Sequence, residues 1–321
     1  MEISPALAEA RLRALAKAAG AGVLDQVDPG LGTGIVNAHG FFLVEDNPRG
    51  LGGALVWAAK HDLERLAILA TAGAGDLVRR ASLLDLPKLA VEVWHVDGAE
   101  VSRVNEAAPA QPVGMSHSDR HMSVSALIVA AGARVVHDNG RLVAEVEGLE
   151  VGRVVEDDDG VRLDIGVGQA DRELAAFMYN GPVEETLRGV VEVVRGQRTA
   201  RSHHPLARLA RPRWLRSMLL DNPSVVGAAD LNPVAGLRPH DTVDNTDPAP
   251  ALGTGQSGEP LMVVCGAGID LDLIPEAADL RLSYSPAAEL VIVVPERDMG
   301  LNSILVDKLQ NTTMIGLPPP W

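Results

Sequence analysis

The chain has 321 residues, 46% of them hydrophobic, and 28 Lys and Arg against 43 Asp and Glu give a net charge of −15. That length exceeds a usual single core, so two domains, or one large domain with an inserted lobe, are expected, while the negative balance argues against whole-surface attraction to nucleic acid or an anionic membrane. The lone cysteine, Cys265, excludes an internal disulfide framework and a Cys-based zinc site; no run approaches the ~18 apolar residues of a membrane span, residues 1–20 lack a secretory pattern, and a cytoplasmic location is the expectation.

Ser4 before Pro5 reads as an N-cap and first helical residue, with Leu7, Leu12 and Leu15 on one side and Gly20 as the stop. Residues 28–34 form a glycine-rich turn. Residues 40–46, carrying Phe41, Phe42, Leu43 and Val44, read as a buried strand that ends in acids. From Leu51 the period changes, and Leu51, Ala54, Leu55, Ala58 and Ala59 fall on one helix face. Residues 66–70 are a short apolar strand. Asp76 is placed to cap a second helix that carries Leu77, Ala81 and Leu84. Residues 90–96 and 100–104 read as strands around the Asp97-Gly98 turn. Strands alternating with helices of this length predict a parallel sheet.

Residues 105–116 read as a linker and 124–131 as a helix. Leu142, Ala144 and Val146 then alternate with Glu145 and Glu147, as in a half-buried strand. Residues 149–155 and 161–167 form a hairpin around the acidic turn 156–160. Helices follow near 170–178 and 183–195, and Pro205 and Pro212 mark further helix starts. Residues 234–259, rich in Gly, Pro and Asp, read as a long loop. The last segment has strands at 261–264, 289–294 and 313–317. A helix at 275–282 separates the first two, and Leu301, Ile304, Leu305 and Leu309 mark a helix face before the third.

The fold class expected is therefore α/β, with two βαβαβ segments (parallel or mixed sheets) flanking a β-hairpin-rich middle, in divisions 1–110, 117–200 and 201–321. The spacing from second to third strand matches in the two segments, although residue identity is slight. A duplication would give this, and so would the common physics of any two βαβ units.

Four constellations could carry chemistry. Gly266 and Gly268 follow a strand, and Asp298 ends the next, which is where a dinucleotide fold places its glycines and ribose acid. Leu271 stands where the third glycine would be, so the plain alternative is a glycine turn. Gly30, Gly32 and Gly34 are a weaker case of the same pattern. His117, Asp119 and His121 alternate as metal ligands could on an extended segment, but they lead into a helix, where Ser118 or Asp119 serves as a cap. His203 and His204 stand before Pro205 in a similar role. From 195 to 216 the chain carries seven arginines and no acid. Arg201, Arg208, Arg211 and Arg213, with Trp214, are candidates for an anion site, since guanidiniums bind phosphates bidentately and an indole can stack. The interleaved Leu206, Leu209, Leu215 and Leu219 show that part of this run is amphipathic helix, whose arginines could equally meet the protein's own acids or an acidic partner subunit.

The fourth constellation is the set of strand-end or strand-borne carboxylates Glu45, Asp46, Glu145 and Asp164. A strand ending in an acid, then helix, strand, helix and strand, resembles part of the restriction-endonuclease-like fold, in element order and not in motif. Such enzymes hold a divalent cation with two or three carboxylates and use a lysine to orient water. Here Asn47 and Gly166 stand where that lysine is needed, and no metal site is assigned. Neither a Gly-x-Ser-x-Gly turn nor a P-loop is present. The reading is a binding or regulatory protein that holds an anionic ligand or acidic partner, or associates with itself, through residues 195–216. The alternative is a metal-dependent nuclease-like or nucleotide-binding enzyme with incomplete motifs. No motif names a cofactor.

Overall fold

The computed structural model describes residues 4–45, 49–109, 119–138, 140–157, 160–178, 182–238, 242–243 and 246–321. The protein is α/β, with three sheets among the described residues. It divides into two compact units. The first comprises Met1–Ala110 with Ile269–Asp279 and Gly300–Gln310, and the second Gln111–Gly268 with Leu280–Met299 and Asn311–Trp321.

In the first unit, α1 (Pro5–Ala18) starts as its sequence directs, with the Ser4 hydroxyl accepting the Leu7 N–H at 3.4 Å. The chain continues through β1 (Gln26–Asp28), β2 (Thr33–Val36), β3 (His39–Val44), α2 (Leu51–Lys60), β4 (Arg65–Ala70), α3 (Ala74–Ser82), β5 (Ala90–Asp97) and β6 (Glu100–Val104). The sheet follows chain order from β1 to β6. Strands β1, β2 and β3 form an antiparallel meander, β3, β4 and β5 are parallel, and β6 returns antiparallel after Gly98. The glycine-rich turn is thus the loop of the first hairpin. Leu12, Leu15 and Ala16 of α1 pack on Phe41, Ala67, Leu69 and Val96. Leu66 and Ile68 are buried as well, so β4 is covered on both faces, which is why it reads as an unbroken apolar run.

Asp76 is not the cap of α3. Gly73 holds that position in the left-handed region, and Asp76 sits in the first turn, 2.8 Å from Arg79. The cap of α2 comes from far along the chain: Asp272 accepts the N–H groups of Gly50 at 2.9 Å and Gly52 at 3.1 Å. Gly52 has to be glycine, because a Cβ there would lie 1.8 Å from the Leu271 carbonyl oxygen. Behind this contact, buried Asp279 accepts from Arg79 at 2.6 and 2.9 Å and from Arg80 at 2.9 Å. A fully buried carboxylate is retained only when so paired.

The second unit opens with α4 (Asp119–Ala130) and an antiparallel sheet of β7 (Arg134–Asp138), β8 (Arg141–Val146), β9 (Leu149–Asp157) and β10 (Gly160–Ile165), ordered β10-β9-β8-β7. Next come α5 (Gln169–Met178) and α6 (Val183–Gln197), whose Leu187, Val191 and Val194 pack on Ala144, Val151 and Leu163. Glu145 departs from the expected alternation. The ladder shifts register between Ala144 and Glu145, a bulge that re-aims the side chain, and Glu145 is buried.

A short 3-10 turn, Pro205–Arg208, leads to α7 (Arg211–Asp221), β11 (Ala228–Pro233), β12 (Ala249–Gly255), β13 (Pro260–Cys265), α8 (Leu273–Tyr284), β14 (Glu289–Pro295), α9 (Met299–Asn302) and β15 (Thr312–Leu317). Strands β11, β12 and β13 are antiparallel, while β13, β14 and β15 are parallel, in chain order. The stretch read as one loop over 234–259 therefore contains a strand, β12, secured by ladders on both sides. Helix α8 begins at Leu273, ahead of Pro275, and the helix face around Leu301 is split between α9 and the 3-10 stretch Ser303–Lys308. Gly148 seats α7 on the β8–β9 hairpin. Glu147 and Gly148 both have positive φ, 47° and 77°, as a tight primed turn needs. A Cβ on Gly148 would fall 2.3 Å from the backbone of Arg213 and Trp214.

Candidate functional site

The C-terminal ends of β13, β14 and β15 make one edge of the second unit's parallel sheet. Cys265 pairs with Val293, and Val293 with Ile315, so the segments that follow these strands leave the sheet side by side. Open α/β sheets receive ligands at this kind of edge, outside the carboxyl ends of their strands. Gly268 donates its N–H to Asp298 Oδ2 at 2.8 Å, and Arg297 Nε stands 3.7 Å from Asp298 Oδ1. Helix α7 supplies Arg211, whose guanidinium carbon lies 5.3 Å from the centre of the Trp321 ring. Trp321 in turn lies 5.8 Å from Trp214, and Arg198 covers Trp214 at 4.2 Å. The planar groups run Arg211, Trp321, Trp214, Arg198, a stack that fixes both guanidiniums by cation–π attraction.

The two ends of that stack differ. Arg198 is 3% exposed, and its N–H groups go to the carbonyls of Glu147, Leu206 and Leu209. Burial pushes its pKa down to about 10, as desolvation disfavours the charged form. Arg211 is only partly buried and, among the described residues, has no carboxylate in an ion pair with it; its Nε is buried without a hydrogen-bond partner. Burial, then the like charges of Arg297 and Arg208, hold its pKa below the ordinary arginine value, while Asp298 pulls the other way. Arg211 thus feels the like charges of Arg208 and Arg297 at an edge that also carries the carboxylates of Glu296 and Asp298.

The arginine run divides by partner. Arg195 donates to the Gly132 carbonyl at 2.8 Å, Arg213 pairs with Asp138 at 2.7 Å, and Arg216 pairs with Glu145 at 2.7 Å. Arg201 and Arg208 are exposed. Trp214 is 2% exposed and packed internally, so the indole presented toward the edge is Trp321. Arg211 is within electrostatic reach of Asp298 and Arg297, which stand after β14 and are far from it in sequence. Arg297, next to Asp298 at the end of β14, is not among the residues that the sequence pattern singled out. Trp321, after a run of prolines, gave no signal.

The carboxylates do not gather. Glu45, in the first unit, pairs with Arg11 at 2.5 Å, and Asp46 lies outside the described residues. In the second unit Glu145 is taken by Arg216, and Asp164 by Arg162 at 2.9 Å. Among the described residues no three His, Cys, Asp or Glu side chains are grouped so as to hold a metal ion. His117 and Ser118 also lie outside the described residues, whereas His121 stands 3.8 Å from Glu156. His204 accepts the Leu206 N–H at 3.3 Å and caps the 3-10 turn. No helix among the described residues is long and apolar enough to cross a membrane. Compared with known proteins, the chain matches no family model, no curated protein and no solved structure.

Proposed function

We propose that the protein is a binding or regulatory protein whose second unit holds an anionic, phosphate-type ligand at the edge formed by Arg211, Arg297 and the turn at Gly266 and Gly268. The observation that carries this reading is Arg211. Its charge is held in place by Trp321 and faces two like charges, with a buried Nε–H that no protein group accepts. An oxyanion relieves that arrangement, because guanidiniums bind phosphate oxygens with paired, charge-assisted hydrogen bonds. Arg198 and Arg216 also keep one buried nitrogen without a partner, but their other nitrogens meet a carbonyl or a carboxylate, as those of Arg213 do, whereas Arg211 has no carboxylate in an ion pair with it among the described residues.

The test is a titration of the full chain with inorganic phosphate, followed through the Nε–H resonances of Arg211 and Arg297. Saturable shifts at both are expected, with loss of the response in Arg211→Gln and Arg297→Gln. Unchanged arginine signals, or a response that survives Arg211→Gln, would refute the reading. An acidic macromolecular partner is the other source of anionic groups, and Arg201, which is exposed and not among the charges felt by Arg211, is where it would differ. Arg201→Gln should leave phosphate binding in place and weaken such an association.

A further inference from the structure

We infer that Asp298 is an internal stand-in for the ligand's phosphate, and that a phosphate monoester dianion binds by displacing it from the Gly268 N–H. This rests on the anion-binding reading above and adds to it the chemical class of the ligand and a built-in competitor. The geometry is that of an occupied oxyanion seat. Gly268 lies just beyond β13, the place where α/β sheets present glycine N–H groups to phosphate oxygens. Its N–H is taken by a carboxylate oxygen at 2.8 Å. Gly268 has a φ of 81°, and a Cβ placed on it would meet nothing within 4 Å, so the outer side of the turn is open to an incoming group.

Charge decides the ligand class. The edge carries Arg208, Arg211 and Arg297 against Asp298 and exposed Glu296, so displacing Asp298 leaves two positive charges over. A carboxylate ligand would merely replace like with like. A phosphate monoester carries close to two charges at neutral pH and three acceptor oxygens. It can take the Gly268 N–H with one oxygen and the Arg211 and Arg297 guanidiniums with the others. Asp298, whose side chain is 14% exposed, would then give up the Gly268 N–H to the ligand.

The experiment is calorimetric titration of the full chain with inorganic phosphate and with phenyl phosphate, comparing wild type with Asp298→Asn, Asp298→Ala and Arg211→Gln. Both Asp298 variants should bind roughly tenfold more tightly, the scale of one hydrogen bond to a charged group. In the wild type the Gly268 amide resonance should move on binding. Asp298→Asn keeps the shape and an acceptor for the turn, so it separates loss of charge from loss of structure. If Arg211→Gln abolishes binding while both Asp298 variants bind no tighter than wild type, the anion site stands and the displacement is overturned. If neither wild type nor Asp298→Asn binds phosphate, the anion-site reading and this inference fall together.

Discussion

Glu145→Ala should be among the most destabilising single changes in the second unit, because it strands a buried charge. Glu145 Oε2 accepts from Arg216 Nη2 at 2.7 Å, and the two side chains are 1% and 5% exposed. The other contacts of Arg216 are poor: Nη1 lies 3.4 Å from the Pro250 carbonyl, and Nε is buried without a partner. Removing the carboxylate leaves that guanidinium uncompensated, which costs about 3–5 kcal/mol for buried pairs of this kind. Glu145 Oε1 is itself unpaired, so its removal relieves one unmet acceptor and favours the lower end. At a urea slope of about 2 kcal/mol per molar, the midpoint should fall by roughly 1.5 M. Cys265 provides the assay. It is 0% exposed in the core with Leu215, Val263 and Val293, and burial pushes its pKa up to about 12. The thiol therefore reacts with a disulfide reagent only when this unit opens. Glu145→Leu with Arg216→Met removes both charges and should return stability to within about 1 kcal/mol of wild type, since apolar replacement of a buried pair is often neutral. A midpoint shift near zero in Glu145→Ala, or a double variant no more stable than the single, would refute the reasoning.

Gly148→Ala should cost about 2–4 kcal/mol, combining a left-handed backbone with a backbone clash that no side-chain movement can relieve; Gly189→Ala, in α6 with open space around it, should instead stabilise by about 0.5–1 kcal/mol, both read by Cys265 labelling in urea. Asp272→Ala removes the acceptor for two N–H groups at the start of α2 and should cost about 1–2 kcal/mol, with faster hydrogen exchange at Gly50 and Gly52 ahead of the rest of the helix. His39 has its pKa lowered, first by burial and then by Arg65. The unfolded state therefore takes up its proton first, so stability is full above the ordinary histidine value of 6.5 and falls as pH drops below it toward the folded value. His39→Gln should flatten that part of the stability profile, and an unaltered profile would remove His39 as its source.

What could be read from the sequence followed from how each strand is buried. Strands β3, β4, β13 and β14 are apolar runs covered on both faces, and all were placed within one or two residues. Strand β12 was invisible because Ala249–Gly255 contains Pro250, Gly253 and Gly255 and has no apolar alternation. It is a strand because its neighbours pair with it, and position 253 takes only glycine because a Cβ there would lie 1.9 Å from the Asp230 carbonyl oxygen. Local propensity cannot report a constraint imposed by another strand. The same limit applied to charge. The density of arginines was plain, but their division into buried and outward members depends on Asp138, Glu145 and three carbonyls, each placed by tertiary packing. Glu145 read as solvated because its partner, Arg216, lies 71 residues away.

The two units share more order than their apolar patterns displayed. Each sheet follows a helix with an antiparallel pair leading into a third strand and then two parallel strands, α1 to β5 in the first unit and α7 to β15 for the second, although residues 269–279 and 300–310 of the latter's connections belong to the first unit. With the scaffold held in common, chemistry has to reside in what each edge carries. In the first unit the residue after β3 is Glu45, and the helix before the meander answers it with Arg11, a neutral pairing at 2.5 Å. In the second, the residue after β13 is glycine, and the corresponding helix brings Arg211 with no carboxylate of its own. One edge is closed by its own ion pair, and the other is left with a surplus of positive charge, which is the asymmetry a bound anion would resolve.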